Sequence, residues 1–299
     1  MIDHHSRRRY EVRHRTAYTY SDDVTASFER AMLRPRETEH QKVLDHAIEI
    51  SPEPDRLDES VDAFGNWTHY VEISTPHTEL VVAKRTTVEI AWPLADMAAL
   101  NAWTVESAAA FLRTAPDVDP FEHAAYTLPS TMVTLEDEVR AFAHVLLPGN
   151  RPLGEAIEAV YREIYSGFTY SQGVTSVSTT LPEVLAARAG VCQDFAHLGV
   201  ACLRAVGLPA RYVSGYIETT PAPGTVKLEG SDASHAWVGV LTPGGWVDLD
   251  PTNNHLADSR YIVTAWGREY RDVSPLKGII FTEGSGSTLT VAVDVKRLD

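Results

Sequence analysis

Two of the 299 residues are cysteines, Cys192 and Cys202, and only the first sits where a thiol could work. Cys192 follows Gly190-Val191 and opens the run CQDFAHLGVACLRAV, whose apolar residues recur at helical spacing. The first turn of a helix leaves N–H groups unpaired and carries the positive end of the macrodipole, so it favours an anion. With a cationic neighbour such a position lowers a thiol pKa from ~8.5 to ~3.5–7.5 and makes the sulfur a nucleophile. Gly190 would let another chain, such as a substrate, approach closely. Phe195, Leu198, Cys202 and Val206 share one face, which assigns Cys202 to apolar packing. Helical rise separates the two thiols by ~15 Å, beyond the ~7 Å Cα limit of a disulfide.

A nucleophilic thiol needs a base, and the strand pair SHAWVGVL and GWVDLD offers one. If Pro243 and Gly244 are the centre of the intervening turn, Trp237 pairs with Asp250 and His235 with Thr252. His235 then shares a face with Trp237 and is the diagonal neighbour of Asp250, with Cβ atoms within ~7–8 Å. A carboxylate there fixes the tautomer of the imidazole and stabilises the imidazolium. The expected set is Cys192 as nucleophile, His235 as base and Asp250 as the group that orients it. For the oxyanion of an acyl-transfer intermediate, the Cys192 N–H is one donor and the Tyr170 hydroxyl a second. Gln193, next to the nucleophile, joins Tyr170 as an oxyanion or substrate contact. Asp194, Arg211 and Tyr212 flank these positions and read as structural. His197 falls on another face of the Cys192 helix and reads as packing or surface, while His123 and His255 lie in loops. With no CxxC pair, no HExxH and no zinc spacing between Cys192 and His197, neither a metal nor a cofactor is expected.

Three stretches must position this set. Residues 8–93 read as a β-rich domain: RYEVRHRTAYTY, VLDHAIEI, THYVEIS and LVVAKRTTVEIAW are short strand-like runs split by turn material, as in a small sandwich or barrel. Residues 94–150 carry helix formers interrupted by Pro116, Pro120, Pro129 and Pro148, with Thr134 as an N-cap candidate, and read as a helical connector. Residues 151–299 form the catalytic core with a C-terminal β tail. There GEAIEAVYREIY is an amphipathic helix, and Thr180-Leu181-Pro182-Glu183 is a capping box that opens a short helix ended by Gly190.

Composition narrows the partners. With 26 Lys+Arg against 41 Asp+Glu the net charge is −15, which repels phosphate backbones and anionic lipid, so neither nucleic acid nor a membrane surface is expected. The N-terminal residues lack an apolar signal region, no run reaches the ~20 apolar residues of a membrane span, and two free thiols suit a reducing compartment. The expectation is a cytoplasmic protein whose partners are a peptide or protein substrate and, as an alternative acyl acceptor, an amine. Oligomeric state is not legible.

The segments GVCQDFAHLGVACLRAVGLPARYVSGYI, SHAWVGV and WVDLDPTNN, in that order, resemble the transglutaminase-like superfamily in its bacterial form. RHRTAYTY, LRPRETEHQKV and DAFGNW resemble the N-terminal β-domain of that subgroup, and GREYRDVSPLKGI its C-terminal signature. The resemblance implies an α+β protein: an N-terminal β-sandwich-like domain, then a papain-like core whose central helix packs on an antiparallel sheet. It implies the same three residues, Cys192, His235 and Asp250, acting through a thioester. Animal transglutaminases follow the cysteine with tryptophan, whereas Gln193 and Asp194 stand here, so water and an amine both remain open as acceptors. The competing classes are a non-catalytic peptide-binding module on a degenerate core and a metal-dependent hydrolase. An intact Cys, His and Asp weighs against the former.

Overall fold

In the computed structural model, which describes residues 4–219 and 234–299, the alternation that begins near Arg8 runs on through 24 residues as β1 (Arg8–Ala31). Tyr10, Val12, His14 and Thr16 are buried and Arg9, Arg13 and Arg15 exposed, the period-two pattern of a sheet with one covered face. Around it lie β2 (Gln41–Ser51), β3 (Arg56–Val61), β4 (Trp67–Ile73) and β5 (His77–Ile90). In place of a set of short strands, β1 spans the sheet. Its register breaks between Thr19 and Val24, and the one strand serves both halves of a curled sheet ordered β2-β5-β1-β4-β3.

The stretch read as a connector holds α1 (Met97–Leu100), α2 (Val105–Leu112), α3 (Pro120–Thr127) and α4 (Asp137–Leu146). Pro120, expected to interrupt, opens α3 instead: a first-turn proline loses no helical hydrogen bond, and Asp119 accepts the Phe121 N–H at 2.9 Å. Thr134 does not cap α4; that position belongs to Glu136, whose carboxylate accepts the Thr134 hydroxyl at 2.9 Å.

The core follows as α5 (Leu153–Gly167), β6 (Thr169–Tyr170), α6 (Leu181–Ala187), β7 (Ala189–Gly190), α7 (Cys192–Ala205), β8 (Ala210–Ile217), β9 (Ser234–Thr242) and β10 (Gly245–Asp250). After these come β11 (His255–Leu256), β12 (Tyr261–Gly267), α8 (Tyr270–Val273), β13 (Leu276–Thr282) and β14 (Ser287–Arg297). The capping box is present, with Glu183 accepting the Thr180 N–H at 2.7 Å, but Arg188 in the left-handed conformation (φ 50°) ends α6, not Gly190. The antiparallel core sheet runs β11-β10-β9-β8-β12. Helix α7 lies on it, and every residue from Asp194 to Arg204 is buried, so the expected single apolar face is a fully enclosed central helix. Leu112, Val139 and Ala143 of the connector share one apolar cluster with Val160, Leu198 and Val238, so the connector helices are part of the core's packing.

Strands β13 and β14 do not stay with the core that precedes them; both pair with β1, Leu276 opposite Ala31 and Arg297 opposite Tyr10. The two sheets also meet directly. Tyr10, Val12, Val88 and Ile90 pack against Tyr216 and Ile262. Strand β12 is an edge of the core sheet, and two side-chain amides complete it. Gln41 accepts the Val263 N–H (2.9 Å) and donates to its carbonyl (2.7 Å), while Asn66 does the same for Trp266 (3.0 and 2.8 Å). Nearby Lys84 is buried with its Nζ 4.4 Å from the Tyr216 ring and no hydrogen-bond partner among the described residues. No helix among the described residues is long and apolar enough to cross a membrane.

Candidate active site

Cys192 is delivered by the parallel pair β6–β7, in which Tyr170 sits opposite Gly190 and the Ser171 N–H donates to the Gly190 carbonyl at 2.9 Å. Val191 is extended, and the chain turns directly into α7 with a partly buried Cys192 as its first residue. Valine has no side-chain acceptor, so Asp194 caps the helix from within: its Oδ2 accepts the Val191 N–H (2.8 Å) and the Thr175 hydroxyl (2.7 Å). The N–H groups of Cys192 and Gln193 have no acceptor among the described residues, as a helix terminus leaves them. Gly190 has a reason other than the expected approach of a substrate. A Cβ there would stand 2.8 Å from Asp194 Oδ2 and 2.9 Å from its Cβ, so the glycine makes room for the cap. Cys202 is sealed in the core, and burial pushes its thiol up to about 12.

The β9–β10 hairpin has the register read from its turn: Thr242 faces Gly245 and Val238 faces Leu249. One step further, His235 Nε2 lies 2.7 Å from Asp250 Oδ2. A carboxylate only accepts, so this contact puts a proton on Nε2, which Asn253 Nδ2 also approaches at 3.3 Å, and leaves Nδ1 as the nitrogen available to the nearby Cys192 thiol. Trp237 stacks on the imidazole at 6.1 Å. Burial of the ring works against its charge, yet the charge and hydrogen bond of Asp250, followed by the Cys192 contact, outweigh it and push His235 up to about 10. Asp250 is itself pinned. Its Oδ1 accepts the backbone N–H groups of Thr252 (2.7 Å) and Asn253 (3.1 Å), and its Oδ2 accepts Asn253 Nδ2 (2.7 Å) and the Tyr261 hydroxyl (2.6 Å). Burial would raise this carboxyl, but His235, Tyr261 and Asn253 hold it down to about 2. The arrangement favours an imidazolium between a carboxylate and a thiol sulfur.

Tyr170 stands half-exposed beside the thiol with its ring against Phe195 (6.3 Å), and burial and then the nearby Cys192 raise its hydroxyl. Gln193 is the second residue of α7, adjacent to the nucleophile. Tyr212 is buried, its hydroxyl raised by burial and then by Cys192. Arg211 lies elsewhere, buried between Trp246 and Trp266 with Asp248 as its ion partner. His197 is a packing residue that accepts the Tyr270 N–H at 3.1 Å, and burial pushes it down to about 3. His123 and His255 are not in loops: His123 lies within α3, and His255 opens β11 and bonds the Leu256 carbonyl at 2.7 Å. The residues that sequence reasoning missed are Thr175, Asn253 and Tyr261. Asp250-Pro251-Thr252-Asn253 carried a usable signal, an aspartate able to bond the backbone two residues on. Tyr261 carried none. Among the described residues no group of three or more His, Cys, Asp or Glu could hold a metal ion.

The sequence and fold have known counterparts. Residues 10–89 match the bacterial transglutaminase-like N-terminal region, and residues 140–251 match the transglutaminase-like superfamily core. An uncharacterized protein of Mycobacterium tuberculosis is 41% identical over 96% of this chain and 92% of its own length. The chain belongs to the transglutaminase-like superfamily. Transglutaminase-like proteins are typically cysteine-dependent enzymes, which supports thiol-dependent acyl transfer in general terms. The crystal structure of a Cytophaga hutchinsonii protein, named as a proposed cysteine protease, has the same fold. Its TM-score is 0.78 at 21% identity, covering 98% of this chain and 92% of that one. A protein-glutamine gamma-glutamyltransferase of Pseudomonas aeruginosa shares a shorter stretch, 43% identical over 22% of this chain and 10% of its own length.

Proposed function

We propose that Cys192, His235 and Asp250 form a catalytic triad that transfers acyl groups from amide bonds of peptide or protein substrates, including the glutamine side chain. One observation carries the reading. A thiol at a helix N-terminus lies beside an imidazole whose Nε2 is held at 2.7 Å by a buried carboxylate. The thiol proton passes to His235, and the sulfur attacks the amide carbon. The C–N bond then breaks as the imidazolium returns the proton to the leaving nitrogen, and a thioester on Cys192 remains. The unpaired N–H of Cys192 is one donor to the oxyanion, and the Tyr170 hydroxyl, with Gln193 adjoining, supplies the second contact. The thioester is released to water, as in a protease or amidase, or to an amine. The stretch shared with the Pseudomonas glutamyltransferase is the reason to keep the amine beside water.

Incubation with candidate peptides and glutamine amides plus a labelled amine, followed by mass spectrometry, tests donor and acceptor together. The expected result is an acyl adduct on Cys192 and either hydrolysed or amine-labelled product, with both lost in Cys192→Ala. Full turnover in that variant would sink the assignment.

A further inference from the structure

We propose that the junction between the two sheets holds a second site, separate from Cys192 and His235, for a small organic cation such as an amine or guanidine. Two adjoining cavities of ≈ 270 and ≈ 370 Å³ open there and share Glu39, His40, Trp92, Trp246 and Asp248 in their walls. Cavities at a domain junction with aromatic walls and a few convergent polar groups are where small ligands bind. The smaller cavity is walled by three partly buried tryptophans, Trp92, Trp246 and Trp266. Its carboxylates are Glu39, Glu122 and Asp248, against Arg211 in its wall and Arg36 stacked on Trp266 at 3.6 Å. Indole faces with surplus carboxylate attract a cation and repel an anion.

The protein already uses the chemistry on itself. The Arg211 guanidinium lies 4.0 Å from the Trp246 ring and 3.7 Å from Trp266, and Arg36 lies 3.6 Å from Trp266, so Trp266 is taken by two guanidiniums and a further cation is left to Trp92 and Trp246. Arg211 does not use up the acceptors. Its Nη2 is 3.7 Å from Asp248 Oδ1, an ion pair too long for a hydrogen bond, and that oxygen accepts no hydrogen bond although the side chain is 1% exposed. Gly239 faces both residues across three neighbouring strands, and a Cβ there would meet Arg211 Nε at 2.8 Å and Asp248 Oδ1 at 2.9 Å, so the pair depends on the glycine. At the mouth Glu122 is exposed and has no hydrogen bond or ion pair among the described residues, and Glu39 contacts only the neighbouring His40 (3.2 Å). An occupant with a flat apolar body and one positive end satisfies the tryptophans and these carboxylates together.

The test uses the full chain carrying Cys192→Ala, so that no turnover or thiol chemistry contributes and a failure leaves the triad proposal standing. Calorimetry at low salt compares benzylamine with benzyl alcohol, which has the same shape and no charge. The expected result is saturable benzylamine binding, none by the alcohol, and affinity roughly tenfold lower in Glu39→Gln/Glu122→Gln. Both replaced residues are exposed, so the fold survives, and Glu122→Gln alone is the milder second variant with a smaller loss in the same direction. Absent binding, equal binding of the alcohol, or undiminished affinity in the double variant would overturn the site.

Discussion

At Asp250, five hydrogen bonds converge on two oxygens, from the Thr252 and Asn253 N–H groups, Asn253 Nδ2, the Tyr261 hydroxyl and His235 Nε2. An amide in its place keeps one accepting oxygen and turns an N–H toward donors. Asp250→Asn should therefore cut turnover by about 10²–10⁴-fold, the range seen when an orienting acid or an acid–base group is lost. It should also move the alkaline limb of kcat/KM. A histidine raised to about 10 keeps its proton, and the stability that goes with it, below its ordinary ~6.5 and loses both as pH rises through about 10. The variant's limb should fall toward the ordinary value, and coincident pH profiles would mean that another group holds His235. The proximity of His235 and Asp250 was legible because a single turn fixes a hairpin register. Tyr261 was not, because its contact crosses the sheet and leaves no trace in local spacing.

At the scale of elements, the nucleophile depends on how α7 begins. Gly190→Ala would drive a methyl group into Asp194, detach the carboxylate from the Val191 N–H and release Thr175 from the helix. The expected loss is about 0.5–2 kcal/mol, the worth of a helix cap, read by urea denaturation, together with reduced kcat. Wild-type stability and rate in that variant would show that the cap can move freely. The helix itself was legible from its period, but its complete burial was not, since periodicity reports one covered face. Arg204 shows why: besides the nearby Ala210 carbonyl, its guanidinium donates to the carbonyls of Leu128 and Arg268, which no local sequence window contains.

Across the whole molecule, the two sheets are joined by amides that stand in for a missing strand. Gln41→Ala or Asn66→Ala should strip the Val263 or Trp266 backbone of both partners, at roughly 1–3 kcal/mol for each group left unsatisfied. Equilibrium unfolding checks this, and an unchanged midpoint would mean that water replaces the amide without cost. The β-rich start, helical middle and mixed core were legible because each has its own hydrophobic period. The return of β13 and β14 to β1 was not, because pairing between the first and last strands leaves no signal in either.

Lys84 has a consequence of another kind. Desolvation alone pushes its amine down to about 7, so across the range from there to ~10.5 the unfolded chain holds a proton that the native state does not. Folding should therefore be favoured by alkali at this residue, the opposite sense to His235. Lys84→Met should flatten that dependence and raise the melting temperature at neutral pH by the equivalent of roughly 1–3 kcal/mol, the burden of a polar group interred with an aromatic face and no hydrogen-bond acceptor. A methionine variant that melts lower would mean the ammonium is being answered by something in its surroundings. A rise would mark this lysine as untapped headroom for thermal hardening, remote from the thiol chemistry.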